Sequence, residues 1–417
     1  MTEVVIVLPG IMGSVLESNG GVIWPGSLLD MVRPFSHMDE LLDPQTRATD
    51  VIRRYGIIGM YDALIEALDR CGYREHDVPQ TLIVHAYDWR KDNAVASAAL
   101  ADRIDAIVAA LGTDTRIHLV AHSMGGLVCR CYLESGSYDA RPGFGHVSQL
   151  ITLGSPHLGA PVALPIAMGQ ERRLFLNAAQ ARQLASNPNF PAVYQLLPPR
   201  GQPFASERRS DTRLSPVDIY DSGISASLGL EQRNLASAEA FHAKLNLARK
   251  PGHVRYFFFT GTRHKTVTSV QLRFGAANGA AVKIERDGGG DGTVPVWSAS
   301  LTGVQMEPVG GEHGEIFKHR DLQRVLGELL GKPGVLLAAG SIPELSVADK
   351  VVEAGSPTIL TIDLPRGTQS IDAELRLRRI VDASGAHTPS AVATVSLPLV
   401  YSGATIDHLA VSIDAPD

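Results

Sequence analysis

Short apolar runs typical of buried β-strands alternate with amphipathic helical patterns through the first two thirds of the chain. The apolar runs lie at 4–8, 81–86, 117–121, 150–153 and 256–260. Helical patterns lie at 61–71, 94–111, 127–133 and 322–330. This alternation predicts an α/β fold, in which a parallel sheet is covered by helices on both faces. In such a fold, ligands bind at the carboxyl ends of the strands.

The pattern changes after residue 334. Apolar and polar residues now alternate within the segments 360–364, 373–377, 395–399 and 409–413. A period of two predicts antiparallel strands with one face in water. We therefore predict an α/β domain over residues 1–332 and a small all-β, sandwich-like domain over residues 335–417.

Two segments interrupt the alternation of the first domain, and both are predicted to lie over the site. Residues 17–53 are rich in Gly, Pro and Leu and form a lid candidate. Residues 160–249 form a long insertion with proline-rich turns and helical pieces. An insertion of this size commonly acts as a cap, although it could also only extend the scaffold.

Composition narrows the classes of function. The chain has 417 residues, 44% of them hydrophobic, and a formal net charge of -6. That balance gives no basic field to attract nucleic acid. Cys71, Cys129 and Cys131 are too few and too closely spaced for a disulfide framework or a zinc site, so we expect reduced, buried thiols. One calcium-like string at 287–291 lacks the oxygen ligands that calcium needs, so no metal or cofactor is predicted.

The N-terminus and the apolar runs bear on location. Residues 1–3 carry no cationic n-region, and the apolar run 4–8 is too short for a signal-peptide core. No run approaches the roughly 18 apolar residues of a membrane-spanning helix. We expect a cytoplasmic protein with no transmembrane segment.

The strongest candidate for chemistry is Ser123. It follows an apolar run and precedes a helical pattern in the string RIHLVAHSMGG at 116–126. A nucleophilic serine on a tight strand-to-helix turn needs small residues two positions before and two after it. Here Ala121 replaces the first glycine of the G-x-S-x-G pattern, and Gly125 supplies the second. An ordinary strand-to-helix turn is the alternative, and the surrounding strand and helix favour the nucleophile.

A serine nucleophile needs a base and a carboxylate that orients it. Asp291 lies in the turn GGGDGTVP at 288–295, and His313 lies in the glycine-lined loop VGGEH at 309–313. A turn aspartate that caps its own backbone is the alternative for Asp291. For the base, His319 competes with His313 but lies in a charged helical stretch. The oxyanion needs two backbone N–H donors, which we assign to Met124, after the nucleophile, and to Ile11, after the first strand.

These motifs resemble those of the lecithin:cholesterol acyltransferase-like lipases, which include lysosomal phospholipase A2. The matching strings are LPGIMGSVLE at 8–17, YDWR at 87–90, AHSMGG at 121–126, LGSPHLG at 153–159 and GDGTVP at 290–295, followed by His313. The resemblance implies an α/β-hydrolase fold and acyl-ester hydrolysis or transfer, and it extends over about residues 3–330. It also suggests that Trp89, with Asp88 and Arg90, shapes the wall of the site, although Arg90 is better explained as a structural ion-pair partner.

The residues together predict a serine esterase or lipase that forms an acyl-enzyme on Ser123. Met12, Trp89 and His122 are the candidate substrate-binding residues. A lipid-like acyl group is favoured by the apolar residues of the lid and cap, which are Leu28, Leu29, Met31, Leu174, Phe175 and Leu176. The alternative is a binding or adaptor protein on a hydrolase scaffold. In either case the β domain, whose only aromatic residue is Tyr401, is better suited to a protein partner or to stabilisation than to sugar binding.

Overall fold

The computed structural model describes residues 2–27, 30, 33–55, 58–210, 213–276, 279–332, 344–347, 357–377, 380–382, 387–389 and 395–414. The chain divides into two compact units, Met1–Leu336 and Leu337–Asp417. The first unit carries the candidate residues for chemistry.

The strands of the first unit, in chain order, are β1 (Thr2–Leu8), β2 (Ser14–Ser18), β3 (Gly21–Trp24), β4 (Arg47–Val51), β5 (Arg54–Tyr55), β6 (Ile58–Gly59), β7 (Leu82–Val84), β8 (Thr115–His122), β9 (Val147–Leu153), β10 (Ala205–Ser210), β11 (Arg213–Pro216), β12 (Arg255–Gly261), β13 (His264–Ala276), β14 (Gly279–Gly290) and β15 (Gln305–Val309). Its helices are α1 (Met38–Leu42), α2 (Asp62–Arg70), α3 (Asn93–Leu111), α4 (Met124–Glu134), α5 (Ala163–Ala167), α6 (Ala178–Ala185), α7 (Ala192–Gln195), α8 (Ser222–Ser227), α9 (Gln232–His242), α10 (Val296–Ala299) and α11 (Arg320–Leu329). Short 3-10 turns lie at Phe144–His146, Leu247–Arg249 and Ile316–Lys318. Among the described helices, none is both long and apolar enough to cross a bilayer.

Six of the described strands form the central sheet, in the order β15-β12-β9-β8-β1-β7. Every neighbouring pair in this sheet is parallel. The carboxyl ends of β1 and β8 lie side by side, because Leu8 is opposite Ala121 in the register. The loops that follow β1, β8, β9 and β15 therefore meet at one edge of the sheet, where an α/β fold binds its ligands.

Alternate residues of the strands point to opposite faces of the sheet, and each face has its own apolar core. In β1, Val4, Ile6 and Leu8 belong to the first core, whereas Val5 and Val7 belong to the second. Residues of α3 and α4 complete the first core, and residues of α2 and α11 complete the second. The sheet is thus covered on both faces, and the predicted α/β architecture is confirmed.

The longest helix of the first unit shows how local sequence sets an element. Asp92 begins α3 by accepting the Ala94 backbone N–H, and Gly112 ends it with a φ of 87°. A carboxylate at the N-terminus satisfies a backbone donor that the helix leaves free, and glycine adopts positive φ without strain. Because α3 contacts α4, these caps help to fix the helix that follows Ser123.

The two insertions are more regular than their sequences suggest. Residues 17–53 contribute β3, β4 and the end of β2 to a small sheet with the order β3-β2-β4, in which Trp24 is fully buried. Within residues 160–249, β10 and β11 join β13 and β14 in a second sheet, with the order β11-β10-β13-β14. The segment between β12 and Asp291 is an antiparallel hairpin of β13 and β14.

The second unit contains β16 (Glu344–Val347), β17 (Pro357–Leu377), β18 (Ile380–Asp382), β19 (His387–Pro389) and β20 (Val395–Asp414). The strands β16, β17 and β20 form an antiparallel sheet, and β18 pairs with β19. The predicted segments 360–364 and 373–377 both lie in β17, and 395–399 and 409–413 both lie in β20. These two long strands pair with each other, with shifts of register near Thr368 of β17. Leu360, Leu375 and Ile413 form a small apolar core within this unit.

Candidate active site

Ser123 lies directly between β8 and α4, with φ 53° and ψ -127°. A positive φ is unfavourable for a residue with a side chain, so the surrounding structure must hold this turn. The small neighbours make the turn possible. Ala121 is fully buried, and a Cβ atom at Gly125 would lie 2.6 Å from the Pro9 carbonyl oxygen. The turn therefore needs small residues at both positions, as the sequence indicates.

The structure brings His313 and Asp291 to Ser123 from two separate loops. His313 Nε2 lies 2.8 Å from Ser123 Oγ, and His313 Nδ1 lies 2.8 Å from Asp291 Oδ2. The other carboxylate oxygen, Asp291 Oδ1, accepts the backbone N–H groups of Thr293 at 3.0 Å and Val294 at 2.7 Å. Of the two histidines weighed from the sequence, His313 is the one that contacts the serine.

Electrostatics favour a fixed proton arrangement in this series. Burial alone would raise the pKa of the Asp291 carboxyl, but His313 and the two backbone N–H donors outweigh it and hold that pKa below its usual value. An ionised carboxylate only accepts hydrogen bonds, so the proton of a neutral His313 is placed on Nδ1. The lone pair of Nε2 then faces Ser123 Oγ, which is the arrangement required to accept the serine proton.

The loop after β1 lies against Ser123. A Cβ atom at Gly10 would lie 2.6 Å from Ser123 Cβ, so only glycine fits there. The Gly10 carbonyl accepts the Gly13 N–H at 3.1 Å. Because the peptide group is planar and trans, the Ile11 N–H points away from that carbonyl. On the other side, Met124 is the first residue of α4, where a backbone N–H has no acceptor within the helix. Both predicted oxyanion donors thus belong to backbone segments that adjoin Ser123.

The three predicted substrate-binding residues are largely enclosed. Met12 has a φ of 64° and 4% of its surface exposed. Trp89 is fully buried, and its Nε1–H donates to the Ser14 carbonyl at 3.3 Å. His122 has both ring nitrogens within hydrogen-bond distance of protein atoms: Nδ1 lies 2.7 Å from Tyr61 Oη, and Nε2 lies 2.8 Å from the His313 carbonyl oxygen.

Arg90 has the structural role favoured from the sequence. Its buried guanidinium forms an ion pair with Asp88, with 2.7 Å between Nη2 and Oδ2. The same group donates to the backbone carbonyls of Leu41, Asp43 and Thr46. Arg90 therefore ties the end of α1 and the turn after it, both part of the lid candidate, to the loop that follows β7.

Two residues at the site had no role in the sequence-based prediction. Tyr61, at the start of α2, accepts the Gly10 N–H on its hydroxyl oxygen at 2.8 Å. Gly154, after β9, has a φ of 60°, and a Cβ there would lie 2.9 Å from Asp291 Oδ2. Gly154 lies within the string LGSPHLG at 153–159, which already resembles a family motif, so the sequence marked its position. Nothing in the sequence marked Tyr61, because it meets Gly10 from 51 positions away.

Metal chemistry has no ligand set in the part of the chain that the structure describes. Within those residues, no group of three or more His, Cys, Asp or Glu side chains could hold a metal ion. The three cysteines are free and buried. Burial raises the pKa of the Cys129 thiol well above its usual value, which makes it a poor nucleophile.

A parallel sheet with a serine, a histidine and an aspartate joined at its carboxyl edge defines the α/β-hydrolase class of fold. A family model for lecithin:cholesterol acyltransferase matches residues 43–235. Lecithin-cholesterol acyltransferase-like 4 of Arabidopsis thaliana is 23% identical over 358 residues, which are 71% of this chain. The chain spans 63% of the length of that relative.

Among solved structures, the Tle4-Tli4 complex contains a chain of similar fold. The TM-score is 0.58 at 16% sequence identity, and the alignment covers 82% of this chain and 100% of that one. The predicted α/β-hydrolase fold is confirmed. The family model and the Arabidopsis relative confirm the resemblance to the lecithin:cholesterol acyltransferase-like lipases seen in the motifs.

Proposed function

We propose that the chain is a serine esterase or lipase that hydrolyses an acyl ester, or transfers its acyl group, through an acyl-enzyme on Ser123. The observation that carries the proposal is the unbroken series Ser123, His313 and Asp291, with 2.8 Å at each of its two contacts. Nucleophile, base and orienting acid in this order form the arrangement that activates a serine at neutral pH.

The mechanism follows from these positions. His313 Nε2 takes the Ser123 proton while Oγ attacks the ester carbonyl carbon, and Asp291 stabilises the imidazolium that forms. The oxyanion accepts the N–H groups of Ile11 and Met124. When the intermediate collapses, the leaving alcohol takes the proton from His313 and the acyl group stays on Oγ. Water or a second alcohol then gives its proton to His313 and attacks the acyl carbon, and His313 returns that proton to Ser123 Oγ as the acyl group leaves.

An apolar, lipid-like acyl group is the proposed substrate feature. Leu174 is 43% exposed, and the adjacent Phe175 and Leu176 are buried. Leu28, Leu29 and Met31, which were also predicted to favour such a substrate, lie outside the described residues. Lecithin, the lipid for which the matching family and the Arabidopsis relative are named, agrees with this substrate class.

A series of p-nitrophenyl esters with increasing acyl length tests the activity. We expect turnover, with kcat/KM rising from acetyl to medium and long acyl chains, because apolar surface is buried on binding. Adding a competing alcohol separates hydrolysis from transfer, since transfer yields the new ester. Equal turnover of acetyl and long-chain esters would remove the support for an apolar acyl pocket. No turnover of any ester, together with no labelling by a fluorophosphonate serine probe, would favour the adaptor alternative.

Gly10→Ala tests the close approach of the oxyanion loop to the nucleophile. The added methyl group would lie 2.6 Å from Ser123 Cβ, so the loop must move away from the serine. We expect kcat on the best ester to fall about a hundredfold, since displacing a preorganised donor by about 1 Å has an effect of that size. Gly145→Ala is the matched control, because a Cβ there meets no atom within 4 Å. Equal activity of the two variants would contradict the assigned oxyanion loop.

A further inference from the structure

A second series of hydrogen bonds runs through the site beside the serine, histidine and aspartate. The Gly10 N–H lies 2.8 Å from Tyr61 Oη, and Tyr61 Oη lies 2.7 Å from His122 Nδ1. His122 Nε2 lies 2.8 Å from the His313 carbonyl oxygen. The series therefore links the loop after β1 to the loop that carries the base.

The direction of each hydrogen bond in this series is fixed by its two ends. The Gly10 N–H can only donate, and the His313 carbonyl can only accept. His122 must then carry its proton on Nε2, so Nδ1 accepts the Tyr61 hydroxyl proton, and the Tyr61 oxygen accepts the Gly10 N–H. Every donor and acceptor in the series is satisfied by one arrangement, which is what a buried polar network needs to be rigid.

The surroundings hold the two side chains in place. Tyr61 is 3% exposed and stacks on Phe317, with ring centroids 5.4 Å apart. His122 is 6% exposed and lies edge-on to the same Phe317 ring at 5.5 Å. A single aromatic ring thus fixes both members, and Phe317 itself is 1% exposed.

The series also completes the fixing of the base. The His313 N–H donates to the Asp291 carbonyl at 2.8 Å, and the His313 carbonyl accepts from His122. Both backbone polar groups of the residue are therefore held, one by the orienting acid and the other by His122. His313 lies in neither a helix nor a strand, so these two hydrogen bonds hold the backbone that carries its imidazole ring.

We propose that Tyr61 and His122 are positioning residues that hold the oxyanion loop and His313 at a fixed separation across Ser123. The proposal rests on the proposed serine esterase activity and assigns His122 to the protein network instead of to substrate contact. Each end of the series adjoins one half of the chemistry: Gly10 adjoins the oxyanion donor Ile11, and His313 is the base. Breaking either link lets the two halves move independently.

The network works only while both side chains are neutral. Burial, together with the neighbouring His313, lowers the pKa of His122 to about 3. Burial raises the pKa of Tyr61 well above its usual value. A proton on His122 Nδ1 would face the Tyr61 hydroxyl, whose oxygen already accepts from Gly10, and the Tyr61 proton would lose its acceptor.

Tyr61→Phe tests the proposal, because it keeps the ring on Phe317 and removes only the hydroxyl. We expect kcat on the best ester to fall about tenfold to a hundredfold, with KM unchanged within about twofold, since the reacting groups lose alignment while substrate binding remains. The matched control is Tyr132→Phe. Tyr132 is fully buried in α4, and its hydroxyl has no hydrogen-bond partner among the described residues. That control is expected to keep the wild-type kcat and KM.

His122→Asn is the second variant and breaks the link to His313, because the shorter side chain does not reach that carbonyl. We expect the same selective loss of kcat. The Tyr61→Phe/His122→Asn double variant should have about the same kcat as the slower of the two single variants, since one broken link already uncouples the two loops. Circular dichroism and thermal unfolding identify variants that fail to fold.

The outcomes separate this proposal from the proposed function. Wild-type kcat in folded Tyr61→Phe and His122→Asn variants, in an enzyme that Ser123→Ala inactivates, would overturn the positioning role and leave the esterase proposal intact. Losses that multiply in the double variant, or that lie in KM, would also overturn it. An enzyme in which Ser123→Ala remains fully active would refute the esterase mechanism itself.

Discussion

Ser123→Ala is expected to lower kcat on the best ester by about a millionfold, because the variant cannot form the acyl-enzyme. The effect on folding should be small. The hydroxyl is lost from a single contact, with His313 at 2.8 Å, and alanine is as small as the residue that it replaces in this tight turn. Steady-state hydrolysis of a p-nitrophenyl ester measures the change, and labelling by a fluorophosphonate probe should disappear in parallel.

The matched control is Ser135→Ala, at the opposite end of α4 from Ser123. It should keep wild-type kcat and labelling. A Ser123→Ala/His313→Ala double variant should be about as slow as Ser123→Ala alone, because the base has no role once the nucleophile is gone. Ester turnover that survives in Ser123→Ala at the wild-type rate would show that another group is the nucleophile.

The parts of the fold that the sequence predicts are those with a strong local pattern. The strands β1, β8, β9 and β12 are continuous apolar runs, because both faces of the sheet are covered. Each was predicted within a few residues of its observed bounds. The serine turn was also predictable, since its tight geometry demands small residues at fixed spacing, and the loops of Asp291 and His313 follow it in the expected order.

The parts that escaped prediction depend on contacts that no local pattern encodes. Strand β15, which leads to His313, has the sequence QMEPV and lies at the edge of the sheet. An edge strand with one neighbour needs little apolar character, so its run is weak. The hairpin of β13 and β14 is similar: much of its sequence is polar, and its partner β10 comes from the cap insertion.

Side-chain networks are harder still to predict. Arg90 contacts carbonyls 44 to 49 positions away, and Tyr61 meets His122 from 61 positions away. Each residue type is common, and its spacing carries no signal before the fold is known. Ser123, His313 and Asp291 could be picked out as candidates because the proposed chemistry requires such residues, whereas the residues that hold them are identifiable only in three dimensions.

Asp291→Asn is expected to lower kcat by about ten-thousandfold, although it changes a single oxygen to an amide nitrogen. The reason lies in the hydrogen bonds of the carboxylate. One side, Oδ1, accepts the N–H groups of Thr293 and Val294, so the asparagine must place its carbonyl oxygen there. Its NH₂ group then faces His313 Nδ1 and donates to it. His313 must then carry its own proton on Nε2. That proton points at Ser123 Oγ, so Nε2 has no lone pair free to accept the serine proton.

Asp287→Asn is the matched control, because Asp287 also accepts a nearby backbone N–H, from Gly289 at 2.8 Å, but is exposed and lies within β14, four residues before Asp291. It should keep the wild-type kcat. The comparison isolates the proton on His313, since both variants remove one negative charge from the same region. If Asp291→Asn lost no more activity than Asp287→Asn, the carboxylate would only cap its turn, as the alternative from the sequence holds, and another group would have to orient His313.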